Sequence, residues 1–216
     1  MKQTVKTSRT AGYLEKIFGH LNRDWWNGEL EEPIITIQST PSSYGHVTVA
    51  KTWKRKDEER HELNLGAETI NRPIEEVVAT IMHEMVHLYH LANGIKDTSR
   101  GYSYHNKQFR DTATEHGLHI EHHKQYGWTI TSPTEALIDY IIEKGWSEIE
   151  MSRGGRSWTP PPSAGGKAGK PAPSAGGTKK PSSTRKLVCP KCGQSVRATK
   201  SVNILCGDCS ERMVEV

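Results

Sequence analysis

Residues 81–90 read Ile-Met-His-Glu-Met-Val-His-Leu-Tyr-His, IMHEMVHLYH. Three histidines and a glutamate stand in a run otherwise apolar enough for a protein interior. Upstream, Asn71 and Pro73 carry helix-start chemistry. From there Ile74, Val77, Val78, Ile81, Met82, Met85 and Ala92 recur at the 3.6-residue period until Asn93-Gly94 closes the run. The spacing predicts a helix of about twenty residues. Within it His83 and His87 lie one turn apart on one face, so their imidazoles can reach a single ion. Glu84 is rotated by one residue's angle, which keeps its carboxylate beside that ion without making it a ligand. His-Glu-x-x-His on a helix is the arrangement of a zinc-dependent peptidase. Three protein ligands hold the metal, and the glutamate serves as general base for the attacking water.

The third ligand has to come from elsewhere in the chain. Candidates are His90, His105, Glu115, His116 and the group His119, His122 and His123. His90 falls at i+7 from His83, roughly on the same face, but a straight helix rarely presents three consecutive turns to one ion. It reads as a supporting or surface histidine. His105 opens a further predicted helix, from about His105 to Glu115, after the polar loop GIKDTSRGYSY at 94–104. That loop is long enough to reverse the chain and deliver a histidine from the opposite side, which favours His105. The metzincin continuation is excluded, because His90 and Asn93 stand where it needs Gly and His.

Around this helix the pattern is mixed. Residues 11–27 place Tyr13, Leu14, Ile17, Phe18, Leu21 and Trp25 at helical spacing before the stop signal Asn27-Gly28. The runs IITIQ (34–38), HVTVAKTW (46–53) and HELNL (61–65) are β-branched or alternating and are separated by turn residues and the charged segment KRKDEER. They predict a small antiparallel sheet. A last helix is expected over 134–145 behind Ser132-Pro133. The expected class is α+β, with a small antiparallel sheet beside the active-site helix.

HEMVHLYH, followed by a loop and then YHNKQF at 104–109, resembles the SprT/Spartan family of zinc metalloproteases, in which HExxH is followed by a histidine a few residues before a phenylalanine. LNRDWWNGEL (21–30) is similar to the family's Asn and paired aromatics before Gly-x-Leu, and HELNLG (61–66) fits the strand before the catalytic helix. The resemblance covers residues 11–130. It implies a zincin-like metallopeptidase domain over 1–150, with His83, His87 and His105 as ligands of a catalytic zinc and Glu84 as general base. It also implies proteins bound or crosslinked to DNA as the substrate class. Tyr104 and Asn106 depart from the glycines that flank the third histidine in many members.

Beyond the body the composition changes. Residues 1–150 hold 17 Lys/Arg against 22 Asp/Glu, whereas the remaining residues hold 12 against 3. Gly, Pro, Ser, Ala and Lys dominate from Ser152 to Lys186, and PSAGG occurs at 162–166 and 173–177. Such a segment cannot bury enough apolar surface to offset its ordering entropy, so 151–186 is expected to be a disordered basic linker. Residues 187–216 carry all four cysteines, as Cys189-Pro-Lys-Cys192 and Cys206-Gly-Asp-Cys209 with thirteen residues between the pairs. This is the spacing of a zinc ribbon whose four thiolates hold one structural zinc.

Lys186, Lys191, Arg197, Lys200 and Arg212 in or beside the ribbon point to DNA as a partner. No aromatic residue occurs between 187 and 216, so that contact is expected to be phosphate attraction, salt-dependent and largely blind to sequence. The N-terminus lacks the apolar core of a signal peptide, and no run is apolar enough for a membrane span. A soluble, cytoplasmic protein is expected. Two other readings fit the same residues: a regulatory peptidase that cleaves one repressor, with Glu115 as third ligand, and a non-catalytic zinc module associated with DNA.

Overall fold

The computed structural model describes residues 7–40, 42–154, 185–198 and 202–215. They fall into two compact units, one within Met1–Gly169 and one within Lys170–Val216. The expected linker lies, for residues 155–184, outside the described residues.

In the first unit, helix α1 (Thr7–Trp25) buries Leu14, Ile17, Phe18 and Leu21, the stripe that its periodicity predicts. Its end is organised by Asn22. The Asn22 carbonyl accepts from the N–H groups of Trp26 and Gly28. The Asn22 side chain accepts from the Leu30 N–H at 3.1 Å and donates to the Leu30 carbonyl at 2.9 Å, which folds the next segment back on the helix.

Five strands follow: β1 (Ile34–Gln38), β2 (Gly45–Val47), β3 (Trp53–Arg55), β4 (Glu58–Arg60) and β5 (Glu62–Gly66). β1, β5 and β2 form one sheet in that order. β2 runs antiparallel to β5, as expected, but β1 runs parallel to it, pairing Ile34 with Glu62 through Gln38 with Gly66. The sheet is therefore mixed and not antiparallel. The cause is the excursion between them: β2 and the β3–β4 hairpin carry the chain back to the end at which β1 began. The predicted strand 46–53 is split into β2 and β3, and the charged segment forms the hairpin. Its register sets Lys54 opposite Glu59, with their charges 2.7 Å apart, so opposite charges pair across the strands.

Helix α2 (Ile74–Asn93) starts at Pro73 and ends at Gly94, whose left-handed backbone sends its N–H to the carbonyls of His90 and Leu91. Ile81, Met82, Met85 and Val86 are fully buried. After α2 come β6 (Thr98–Ser99), β7 (Tyr104–His105), α3 (Lys107–Glu115), β8 (Leu118–His123), β9 (Gly127–Pro133) and α4 (Glu135–Glu143). The four strands form a second sheet in the order β6-β7-β9-β8. α3 begins two residues later than expected. His105 ends a strand, and Asn106 caps the helix by accepting from the N–H groups of Gln108 and Phe109. α2 packs between the two sheets, with β2 on one side and β9 and α3 on the other.

The body continues past residue 150. Ile149 is buried, Met151 packs on the core, and the Arg153 N–H donates to the Ala67 carbonyl at 2.7 Å. Residues 151–153 of the expected linker are thus held by the body, because Met151 is apolar and that carbonyl needs a donor, and Arg185 and Lys186 at its other end lie in a strand of the second unit.

The second unit is a three-stranded sheet, ordered β11-β10-β12, of β10 (Arg185–Val188), β11 (Ser195–Ala198) and β12 (Val214–Glu215). Its core is small: Leu187, Cys189, Cys206 and Met213. Among the described residues no helix is long and apolar enough to cross a membrane.

Asn22 is buried and serves both backbone groups of Leu30. Asn22→Ala strands those groups and is expected to destabilise the body by about 2 kcal/mol. Equilibrium urea unfolding checks this, and an unchanged midpoint contradicts it.

Candidate metal centres

The helical turn between His83 and His87 and the strand β7 bring three histidines together. His105 Nε2 lies 3.2 Å from His83 Nε2 and 3.1 Å from His87 Nε2. Phe109, fully buried on α3, floors the cluster, its ring centroid 4.5, 4.9 and 4.6 Å from those of His83, His87 and His105. The three histidines themselves are half-buried, so the cluster stays open on one side.

The two helical rings are each aimed by what the other nitrogen meets. The Thr131 hydroxyl donates to the Thr129 carbonyl, which leaves its oxygen to accept from His83 Nδ1–H at 2.9 Å. His87 Nδ1–H donates to Asp97 Oδ2 at 2.6 Å. Both bonds put the proton on Nδ1 and turn the Nε2 lone pair towards the cluster. His105 is held by its backbone. Its N–H donates to the Tyr126 carbonyl at 2.9 Å, while its buried Nδ1 has no partner. β7 pairs with β9 at one position, His105 with Gly127. There φ is +73°, and a Cβ would sit 2.1 Å from the His105 carbonyl oxygen. Only glycine fits.

Glu84 is buried on the same turn of α2. Gly45 of β2 packs so closely that a Cβ there would lie 3.1 Å from Thr80 Cγ2 and 3.4 Å from Glu84 Oε1. Burial pushes the Glu84 carboxyl up to about 7, against the opposing pull of His87 and of the Val47 backbone. Burial, then the neighbouring imidazoles, hold His83 well below its ordinary value, and burial and His87 take His105 to about 4. Burial also opposes a charge on His87, but the Asp97 hydrogen bond and the Glu84 carboxylate carry it above the ordinary value. Asp97 moves oppositely: burial raises it, and the hydrogen bonds from His87 and His90 bring it well below the carboxylate range.

The other candidate ligands stand elsewhere. His90 is buried beside the cluster without joining it, bonded to Asp97 and Thr112. Glu115 is exposed at the end of α3. His116 stacks on Trp26 at 3.6 Å and bonds the Thr112 carbonyl. His119 is exposed, His122 meets the Tyr104 hydroxyl, and His123 accepts from the N–H groups of Gln125 and Tyr126. Tyr89 packs on Trp26. Asp97 and Thr131 were not readable as partners of the cluster, since an acid in a polar loop and a threonine in a strand carry no spacing signal.

In the second unit Cys189, Cys192, Cys206 and Cys209 bring their sulfurs within 4.8 Å of one another. The two Cys-x-x-Cys loops repeat one hydrogen-bond pattern. The Cys189 N–H donates to the Gln194 carbonyl and the Gly193 N–H to the Cys189 carbonyl; the Cys206 N–H likewise donates to the Glu211 carbonyl and the Ser210 N–H to the Cys206 carbonyl. Gly193 and Ser210 both have positive φ. Ser210, and not Gly207, therefore takes the place in the second loop that Gly193 holds in the first. The Cys192 and Lys191 backbone N–H groups lower the Cys189 thiol to about 7, whereas the neighbouring sulfur of Cys192 pushes Cys209 up to about 12.

Comparison with family models, curated proteins and solved structures finds no match for this chain. The donor sets must speak for themselves. Nitrogens bound at about 2.0–2.1 Å to a tetrahedral zinc lie roughly 3.3 Å apart, close to the 3.2 and 3.1 Å that separate His105 Nε2 from His83 and His87. The lone pairs of His83 and His87 both face His105 Nε2, where one proton cannot serve both fully, whereas a cation satisfies all three nitrogens. Four crowded thiols likewise suit a soft cation that takes them as thiolates. The His83-His87-His105 and four-cysteine groups could each hold a metal.

Gly127→Ala should cost the body about 3 kcal/mol and weaken metal retention at the histidine cluster. Gly94→Ala, with a similar φ but open space around it, should cost only about 1 kcal/mol and leave retention unchanged. Thermal unfolding and bound-zinc analysis distinguish the pair, and equal effects on zinc contradict the role given to Gly127.

Proposed function

We propose that this chain is a zinc metalloendopeptidase of the SprT/Spartan type, with a zincin-like catalytic body and a C-terminal zinc ribbon. The observation that carries the reading is the convergence of three Nε2 atoms from two distant segments, with a buried carboxylate one residue from the first of them. His83, His87 and His105 would hold the catalytic zinc, which when bound supplies a Lewis acid that acidifies water and polarises a carbonyl. Glu84 takes the proton of the attacking water and returns it to the leaving amine. Gly45 supports this by leaving room for the Glu84 carboxylate at the sheet. β2 is at the edge of its sheet, where an extended peptide can add as a further strand beside Glu84.

The four cysteines would hold the structural zinc. Lys186, Lys191 and Arg212 are exposed on the ribbon, which supports recruitment to DNA through phosphate attraction. Proteins bound or crosslinked to DNA are the substrate class assigned by the sequence resemblance, in a soluble protein of the cytoplasm.

Two experiments test this. With a DNA-binding protein as substrate, with and without DNA, Glu84→Gln should lower cleavage by about 100-fold or more while zinc content stays constant. An unchanged rate, or no cleavage by the parent protein in either condition, refutes the peptidase. Separately, removing residues 155–216 should weaken DNA association and flatten its salt dependence. Retained binding places the contact on the body.

A further inference from the structure

Asp97 lies in the loop after α2, between the two segments that supply the histidines, and its carboxylate and backbone are engaged on opposite sides. Oδ2 accepts from His87 Nδ1–H at 2.6 Å and from His90 Nδ1–H at 3.0 Å. His90, one turn beyond His87 on α2, is 1% exposed, and its Nε2 accepts from the Thr112 hydroxyl at 2.9 Å. Thr112 belongs to α3, the helix that also carries Phe109. The Asp97 carbonyl accepts from the Asn106 N–H at 2.9 Å, and the next residue, Thr98, pairs with His105 in the β6–β7 ladder. The Asn106 amide adds a bond to the Lys96 carbonyl at 2.6 Å.

We propose that Asp97 is the positioning residue of the histidine cluster, fixing the tautomer and angle of His87 through its carboxylate and the place of His105 through its backbone, with His90 and Thr112 holding the carboxylate in turn. A carboxylate can only accept, so both imidazoles must give it their Nδ1 protons, and His87 is left with its lone pair on Nε2, facing His83 and His105. Two donors converging on one oxygen leave that oxygen little freedom to turn away. His90 thus keeps Asp97 in place without touching the cluster. This also accounts for a fully buried histidine outside the ligand set, whose ring is spanned by polar partners on α3 and the loop. The role rests on the reading of His83, His87 and His105 as a metal centre.

The test uses the full chain, zinc alone as ligand, and competition with a chromophoric chelator, which counts two classes of zinc per chain. His105→Ala should abolish the histidine-site class and spare the thiolate class. Asp97→Asn should weaken the histidine-site class by about 10- to 100-fold and leave the other unchanged. His90→Leu should weaken it in the same direction. His90→Asn, whose amide can still donate to Asp97, should recover part of the loss. Cobalt substitution gives a second reading independent of activity: the d–d band of the histidine site should shift in Asp97→Asn, while the thiolate charge-transfer band stays.

If His105→Ala keeps both classes of zinc, the metal centre itself falls. If it behaves as expected but Asp97→Asn binds like the parent, only the role of Asp97 is overturned. Should Asp97→Asn fail to fold, the His90→Leu and His90→Asn pair decides, because equal affinities in both, or parental affinity in His90→Leu, refute the relay.

Discussion

Two imidazole nitrogens held about 3 Å from a third in a half-buried cluster cannot all be satisfied by one another. At most one proton fits among them, and each lone pair that remains faces another. Such an arrangement persists only if the surrounding fold imposes it, and it becomes favourable only when a cation occupies the centre. Much of the body can be understood as the means of imposing it. α2 is buried along most of its length, and the Nδ1 hydrogen bonds to Thr131 and Asp97 keep His83 and His87 from swinging out. Phe109 fills the space beneath all three rings. Gly127 lets β9 approach the backbone of His105 closely enough to fix it.

The supports come from four separate places in the sequence, and they are unequal. His83 and His87 are each anchored at Nδ1, by Thr131 and Asp97, whereas His105 is anchored through its backbone alone and has a bare Nδ1. The two helical histidines therefore form the rigid pair. The third is set by the short ladders β6–β7 and β7–β9 and by the cap that Asn106 makes on α3. Asn106 and Tyr104, where glycines are common in the resembled family, each have a use here. Asn106 caps α3 and ties the loop through Lys96, and Tyr104 lies under the guanidinium of Arg100.

What was legible in the sequence was what local chemistry repeats. The period of α2, the i and i+4 histidines, the stripe of α1 and the cysteine spacing each state a geometry within a few residues, and His105 followed from loop length, with the following phenylalanine adding only a family resemblance. The direction of β1 was not legible, because parallel or antiparallel pairing is decided by the path between strands and not by the strands. The β3–β4 hairpin was hidden because its cross-strand pairs are charged, which reads as loop until Lys54 is set against Glu59. β8 and β9 were obscured by histidines and a bulge between Glu121 and His122 that breaks the alternation. Asp97, Thr131 and Thr112 acquire meaning only from their neighbours in space.

The two candidate metal groups stand in opposite relations to their surroundings. The body has a core running from Leu14 to Ile149, large enough to hold its shape without help from three histidines, so its fold precedes its site. The ribbon has Leu187 and Met213 beside two of its cysteines, too little apolar surface for an independent fold of that size. Its paired loops point sulfurs at one spot, and the bond energy of an ion there is the main term available to set against chain entropy. In the body, then, evolution can tune the site by altering what touches the ligands. In the ribbon a change at a cysteine is a change to the fold.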